Sequence, residues 1–210
     1  MRRRGERDFL ITLGDRVLMN SANHRSEATL GALACRSLGA RARPRVLVGG
    51  LGMGFTLRAV LDALPDGARV RVAELNPAVV EWCRGELAVL AGHVLDDPRV
   101  TVEVADVAAV IRRHAPGGAT PRFDAVILDL YQGPHAGDHK TNHPLYGLRA
   151  LEAARAVLVP AGVFAVWGED HDPGFLKRLA AAGFSANAER PGRGGYRHTV
   201  YLGMAGDLGG

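Results

Sequence analysis

Short apolar runs rich in β-branched residues alternate with segments of helical periodicity along most of the chain. The first run, at 46–48, leads into a glycine-rich turn, and a helix is predicted at 55–64. Further strands are predicted at 70–74, 100–104, 123–129 and 163–167, each followed by a helix, at 76–90, 107–114, 145–158 and 172–182. Strands and helices that alternate in this way predict a doubly wound, mostly parallel α/β sheet.

The two ends of the chain predict smaller additions to this sheet. Strands predicted at 184–189 and 197–202 would pair as an antiparallel edge hairpin, which gives seven strands in all. At the other end, a β-hairpin turns at 14–15 and a helix follows at 26–38. We therefore predict an N-terminal tail, hairpin and helix at 1–44, a Rossmann-like domain at 45–204 and a flexible tail at 205–210.

Composition is typical of one globular domain. The chain has 210 residues, of which 47% are hydrophobic and 23% charged. No apolar run is long enough to cross a bilayer, and the arginine-rich N-terminus lacks the apolar segment of a signal peptide. Cys35 and Cys83 lie in helical patterns, which predicts buried free thiols. We expect no membrane partner and a cytoplasmic location.

The net charge of +4 raises the question of nucleic acid binding. Only Lys140 and Lys177 are lysines, so arginine dominates the 26 basic residues of a chain that is also rich in alanine and glycine. We interpret this bias as a coding preference and the arginines at 2–4 as a solvated tail. No nucleic acid partner is predicted.

The glycine-rich turn is the strongest functional signal. Gly50, Gly52 and Gly54 stand between a strand and a helix, and Glu74 ends the next strand 20 residues after Gly54. Glycines allow a ligand to approach the backbone, and a carboxylate at this strand end can accept hydrogen bonds from both hydroxyls of a ribose. A tight turn without a ligand is the alternative. A nicotinamide dinucleotide is disfavoured because its fingerprint requires glycine where Phe55 stands.

Acidic residues also end or follow the next two strands of the predicted sheet. Asp106 follows the strand at 100–104, and Asp129 ends the strand at 123–129. Each could simply cap a helix. Because the carboxyl ends of parallel strands lie at one edge, three acids around one glycine turn favour a shared ligand.

Four segments resemble the spermidine synthases, a branch of the class I S-adenosylmethionine-dependent methyltransferase superfamily. They are VLVGGLGMGFTLRAV, VAELNPAVV, DPRVTVEVAD and FDAVILD, at 46–60, 72–80, 97–106 and 123–129. The resemblance implies the class I methyltransferase fold and a donor that is S-adenosylmethionine or its decarboxylated form. It also implies that Glu74 binds the ribose, Asp106 the adenine amino group, and that Asp129 borders the reacting centre. The implied donor-binding set is Gly50, Gly52, Gly54, Glu74, Leu75, Asp106, Val107 and Asp129.

Two departures from the family pattern bear on the reaction. Met53 stands where spermidine synthases have an aspartate that binds the donor's amine, and Gln132 replaces a second aspartate after the fourth core strand. A thioether brings no charge and only a weak acceptor, so the sequence favours methyl transfer over aminopropyl transfer. We predict a methyltransferase acting on an amine or hydroxyl of a small molecule, with Asp129 and Tyr131 as catalytic residues. The alternatives are a polyamine aminopropyltransferase and a catalytically silent S-adenosylmethionine-binding partner protein.

The segment after Asp129 predicts a substrate lid. His135, His139 and His143 are spaced by four, as in a helical metal site, but the prolines and glycines between them argue against a helix, and no metal is predicted. The remaining candidate substrate-binding residues are Gln132, His135, Tyr146 and Trp167. Core packing is an equal alternative for Trp167. Because spermidine synthases are often dimers, the resemblance also allows a homodimer.

Overall fold

A seven-stranded sheet with helices on both faces forms the body of the protein. The computed structural model describes residues 1–114, 121–131, 133–134, 143–191 and 198–206. The first five strands in spatial order are parallel, and the last two form an antiparallel hairpin at the edge. The spatial order is β6 (Val100–Val104), β5 (Arg69–Glu74), β4 (Arg45–Gly49), β7 (Phe123–Leu128), β8 (Leu158–Gly168), β10 (Thr199–Ala205), β9 (Phe184–Glu189). The predicted fold class is confirmed.

Three strands form a separate antiparallel sheet at the N-terminus. The predicted hairpin consists of β2 (Phe9–Leu13) and β3 (Arg16–Asn20), and a two-residue strand, β1 (Arg2–Arg3), pairs with β2. The tail that we interpreted as solvated therefore supplies an edge strand, although both residues of β1 are exposed.

Helices α1 to α3 cover one face of the large sheet and α4 to α6 cover the other, each over its own apolar cluster. The side chains of Asn76, Asp106 and Asp172 cap α3, α4 and α6 by accepting a backbone N–H bond two residues ahead. Among the described residues, no helix is long and apolar enough to cross a membrane. The helices are α1 (Arg25–Ser37), α2 (Phe55–Ala63), α3 (Pro77–Arg84), α4 (Val107–Arg113), α5 (Leu148–Ala156) and α6 (Pro173–Ala181).

Predicted boundaries are wrong at three places. The helix predicted at 145–158 spans only Leu148–Ala156. The helix predicted at 76–90 ends at Arg84, because the chain turns at Gly85 and continues as two 3-10 turns, with positive φ at Gly92 and His93. The strand predicted at 163–167 begins earlier, at Leu158. Pro160–Gly162, whose residue types predict a turn between the helix and the strand, lies inside that strand as a bulge with a positive φ at Ala161.

The strand order reverses direction at the centre of the sheet. β4 lies between β5, which follows it in sequence, and β7, so successive crossovers run to opposite sides. In an open α/β sheet this reversal leaves a crevice at the carboxyl ends of the two central strands. The glycine turn follows β4 and Asp129 follows β7, so the fold places both candidate features at this crevice.

We predict that Asp124→Ala lowers the free energy of unfolding by about 2 kcal/mol. The Asp124 carboxylate accepts hydrogen bonds from the Arg41 guanidinium at 2.7 Å and from the backbone N–H of Arg45 at 2.7 Å, so it fastens the entry of β4 to β7. Urea unfolding would measure the loss. Asp62→Ala, which removes an exposed carboxylate paired with Arg58, is the control and should cost less than about 0.5 kcal/mol. Equal losses in the two variants would contradict the prediction.

Candidate active site

Gly50 directly follows β4 and packs against the backbone that follows β7. The backbone N–H of Asp129 donates to the Gly49 carbonyl at 2.8 Å, and Gly50 has a φ of 90°. A Cβ atom at Gly50 would lie 2.1 Å from the Asp129 carbonyl oxygen. Only glycine combines this φ with this clearance, so the glycine turn and Asp129 are held side by side.

The rest of the turn is enclosed by the N-terminal sheet and by α3. Gly52 and Gly54 also have positive φ, and a Cβ at Gly52 would lie 2.6 Å from the Met19 sulfur on β3. The Cys83 thiol on α3 lies 3.2 Å from the Gly52 carbonyl oxygen and donates to it. Met53 is fully buried in the core cluster beneath α1 to α3. The turn therefore brings backbone, and no carboxylate of its own, to the site.

Glu74 fastens the glycine turn to the start of α3. One carboxylate oxygen accepts from the Leu51 N–H and the other from the Asn76 N–H, each at 2.8 Å. A carboxylate oxygen has two lone pairs, so each can accept a second hydrogen bond. Glu74 is only half-buried, and its carboxylate can therefore receive a diol while it holds the turn.

Asp106 serves as the cap of α4, one of the two roles considered for it. One of its oxygens accepts from the Ala108 N–H at 2.9 Å, and the other makes no hydrogen bond with the described residues. Val107 is buried against Gly49. Leu75 and Val104 stand beside these acids with exposures of 72% and 54%, which are unusual for large apolar side chains. An apolar planar group could cover them.

Asp129 lies in a pair of acidic side chains that pattern reasoning did not foresee. Its carboxylate lies 2.6 Å from the Thr56 hydroxyl, and that hydroxyl lies 3.1 Å from the Glu27 carbonyl oxygen. Glu27 belongs to α1 and is itself buried, and its carboxylate accepts a hydrogen bond from the Ser26 hydroxyl. Burial, with a smaller contribution from the charge of Glu27, raises the pKa of Asp129 to about 7, and the Thr56 hydrogen bond opposes this rise.

The single proton of the Thr56 hydroxyl gives this cluster two alternative hydrogen-bonding arrangements. When Asp129 is ionised, Thr56 donates to it. When Asp129 is protonated, Asp129 can donate to Thr56, and Thr56 can turn to the Glu27 carbonyl. Both protonation states of Asp129 are therefore hydrogen-bonded, which suits a group that accepts and releases a proton near neutral pH.

Glu27 and Thr56 are the site residues that the sequence prediction missed. The pair Ser26–Glu27 was interpreted only as a helix start, and Thr56 as part of a helix. No spacing rule connects Glu27 with Asp129, because the contact exists only once α1 packs on the large sheet. The one available signal was a polar residue, Thr56, two positions after the last glycine of the turn.

The other predicted site residues lie at different depths. Tyr131 is 44% exposed at the site edge. Trp167 lies on β8, on the same face as Asp129, and its buried indole N–H makes no hydrogen bond with the described residues. Tyr146 is only 3% exposed and packs against Phe175 in the cluster beneath α4 to α6. Gln132, His135 and His139 lie outside the described residues, and these roles remain predictions.

Both cysteines are confirmed as buried free thiols, and burial raises the pKa of each to about 12. His143 lies near the start of α5, where its ring accepts from the N–H groups of Leu145 and Tyr146 at 3.2 and 3.1 Å. Within the described ranges, no group of three or more His, Cys, Asp or Glu side chains is arranged to hold a metal.

We predict that Gly50→Ala lowers the free energy of unfolding by about 3 kcal/mol or more, because it adds both a backbone clash and φ strain. Gly39→Ala is the matched control, since Gly39 has a φ of 64° but nothing within 4 Å of its Cβ position. Strain alone should cost that variant about 1 kcal/mol. Urea unfolding of both would separate the clash from the strain. Similar losses would show that the contact with Asp129 does not constrain Gly50.

Comparison with known proteins adds sequence relatives and structural neighbours. No protein-family model matches the chain. The polyamine aminopropyltransferase of Mycobacterium tuberculosis is 36% identical over 123 residues, which are 58% of this chain and 22% of that relative. The chain therefore matches about a fifth of the relative's length.

Solved structures share the fold at low sequence identity. Spermidine synthase from Thermotoga maritima superposes with a TM-score of 0.71 and 21% identity, covering 90% of this chain and 63% of that one. Human methyltransferase-like protein 13, in complex with SAH, superposes with a TM-score of 0.59 and 20% identity, covering 88% of this chain and 81% of that one. In sequence the chain is similar to polyamine aminopropyltransferases, and it shares its fold with spermidine synthase and with class I methyltransferases.

Proposed function

We propose that the protein is a transferase that uses S-adenosylmethionine as donor and methylates an amine of a small molecule. The observation that carries the proposal is Asp129, whose raised pKa of about 7 places a base next to the glycine turn. A relative named as an aminopropyltransferase and a structural neighbour bound to SAH support a donor of this class.

The crevice fits the donor at three places. The glycine turn exposes backbone to the sugar, and Glu74 retains lone pairs for both ribose hydroxyls. The second oxygen of Asp106 can accept from an exocyclic amino group, and Leu75 and Val104 supply an apolar cover for a purine. S-Adenosylmethionine, when bound, supplies an electrophilic methyl group on a sulfonium.

The acidic pair favours an amine over a hydroxyl as acceptor. Glu27 and Asp129 together offer up to two negative charges in a largely buried setting, where an ammonium group would find a stronger partner than a neutral hydroxyl. Trp167 lies on the same face and offers an unused N–H that could orient an acceptor oxygen. We infer that Asp129 both binds the acceptor amine and deprotonates it.

Proton removal is the step that the protein's own residues perform. An amine is protonated near neutral pH and becomes nucleophilic only after one proton leaves its nitrogen. Asp129 takes that proton, and Thr56 rotates from Asp129 towards the Glu27 carbonyl as the carboxyl becomes neutral. The new nitrogen–carbon bond forms as the carbon–sulfur bond breaks, and the sulfur keeps the electron pair.

Aminopropyl transfer is a second candidate because Glu27 adds a carboxylate that the sequence argument had not counted. Amine acceptors of that reaction carry several positive charges, which two acids can bind. Against it stands Met53, which is buried in the core and brings no charge to the donor's amine. The two reactions differ in donor, so donor preference discriminates between them.

We predict that the protein binds S-adenosylmethionine more tightly than its decarboxylated form, and that Glu74→Gln weakens this binding by about tenfold or more. The glutamine keeps an acceptor for the turn but loses the charge that strengthens bonds from the ribose hydroxyls. Glu81→Gln, on the exposed side of α3, is the control and should bind like the unchanged protein. Calorimetric titration would measure all three proteins.

Each titration result has a defined meaning. Preference for the decarboxylated form would replace methyl transfer with aminopropyl transfer. Binding of neither donor would overturn the cofactor assignment. Tight binding without turnover, and without an effect of Asp129→Asn on any candidate amine, would favour a silent binding protein. A melting curve of Glu74→Gln separates loss of binding from loss of fold.

We also predict that Asp129→Asn stabilises the protein increasingly as pH rises from about 4 to about 7. Asp129 has a native pKa of about 7, above the unfolded value of about 4, so its ionisation makes the native state less stable as pH rises between those values. Asparagine resembles the protonated carboxyl and cannot ionise, so the variant does not lose stability in this way as pH rises. Asp15→Asn, in the exposed hairpin turn, is the control. Urea unfolding at several pH values would measure the difference, and a difference independent of pH would contradict the assigned pKa.

A further inference from the structure

A cavity of about 770 Å³ opens at the amino ends of the parallel strands, opposite the edge that carries the glycine turn. Its walls come from the starts of β4, β5 and β6 and from the turns that precede them. Arginine is the dominant charged residue of this lining, which includes Arg43, Arg45, Arg69, Arg71 and Arg99 against one acid, Asp66.

Two of these arginines are direct neighbours in the sheet. Arg45 and Arg69 are Cα partners in the parallel pairing of β4 with β5, so their side chains leave the same face. Arg71 follows on that face two residues later. Like charges side by side on adjacent strands repel, and such a pair is normally avoided unless something offsets it.

Among the described residues, acids near the cavity pair with other arginines and leave the side-chain charges of Arg45 and Arg69 unpaired. Arg71 pairs with Glu103 at 3.0 Å, and Arg99 pairs with Asp97 at 2.7 Å. Asp124 binds the Arg41 side chain and only the backbone of Arg45.

Three arginines of the cavity stay uncompensated. Arg43, Arg45 and Arg69 have no acidic partner among the described residues, and the Nε of Arg45 is buried without a hydrogen bond to them.

We propose that this cavity binds a compact phosphorylated anion, such as the di- or triphosphate group of a small molecule. Guanidinium groups bind phosphate oxygens in pairs of hydrogen bonds, and three uncompensated ones can surround a multiply charged group. The volume lies within the range of small-molecule pockets. A bound anion would also satisfy the buried Arg45 Nε and relieve the repulsion between Arg45 and Arg69.

A compact anion fits better than single-stranded nucleic acid. Proteins that bind single strands present aromatic side chains on which bases stack. Phe123 is the one aromatic residue in the described lining, and it is only 2% exposed. The cavity thus offers charge without a stacking surface.

Titration of the full chain with sodium tripolyphosphate, at fixed ionic strength, tests the proposal. The double variant Arg45→Gln/Arg69→Gln should bind about tenfold more weakly or worse, because two charge-assisted contacts are lost. The control is Arg36→Gln/Arg84→Gln, which removes the same charge from exposed helix positions outside the cavity. It should bind tripolyphosphate as the unchanged protein does.

Melting curves give a second measurement, in which the difference in melting temperature between Arg69→Gln and the unchanged protein should reverse when tripolyphosphate is added. Without phosphate, Arg69→Gln should raise the melting temperature, because it removes the repulsion with Arg45. With saturating tripolyphosphate, the same variant should melt below the unchanged protein. No binding, or equal loss in the control, would overturn the site. Tighter binding of a single-stranded oligonucleotide, lost in the same double variant, would overturn the compact ligand in favour of nucleic acid.

Discussion

The contact between Gly50 and the backbone of Asp129 is the constraint on which the candidate site depends. β4 and β7 are the central pair of the sheet, and their ends meet where a side chain at Gly50 would strike the Asp129 carbonyl. This contact fixes the distance between the glycine turn and the proposed base. It also fixes the position of Thr56, which lies two residues after Gly54 and whose hydroxyl donates a hydrogen bond to the Asp129 carboxylate.

The sequence predicted the layers of the fold because each strand and helix carries its own periodic signal. It failed where local signals compete. The pattern after Asn76 continues to look helical past Arg84, yet the helix ends there and the chain turns at Gly85. The bulge in β8 was predicted as a turn because Pro160–Gly162 has turn chemistry, and only pairing with β7 shows that the strand passes through it.

The donor side of the site was more predictable than the acceptor side for a physical reason. Gly50, Gly54 and Glu74 lie within one strand–turn–helix–strand unit, so their proximity follows from local geometry. Glu27 reaches Asp129 from a helix that precedes the sheet, and no spacing in the sequence reports that packing. For this reason we propose an amine as the acceptor, because a pair of acids binds an ammonium group more strongly than Asp129 alone.

The strands of this sheet carry opposite charges at their two ends. Glu74, Asp106 and Asp129 follow the carboxyl ends, whereas Arg45 and Arg69 begin the amino ends. A coding preference explains why arginine is chosen over lysine, but it does not explain why two arginines are placed as direct neighbours with no acid between them. Placing two arginines side by side costs free energy through charge repulsion, whatever the arginine content of the whole chain. The arginine content that looked uninformative in the sequence therefore becomes specific once β4 and β5 are paired.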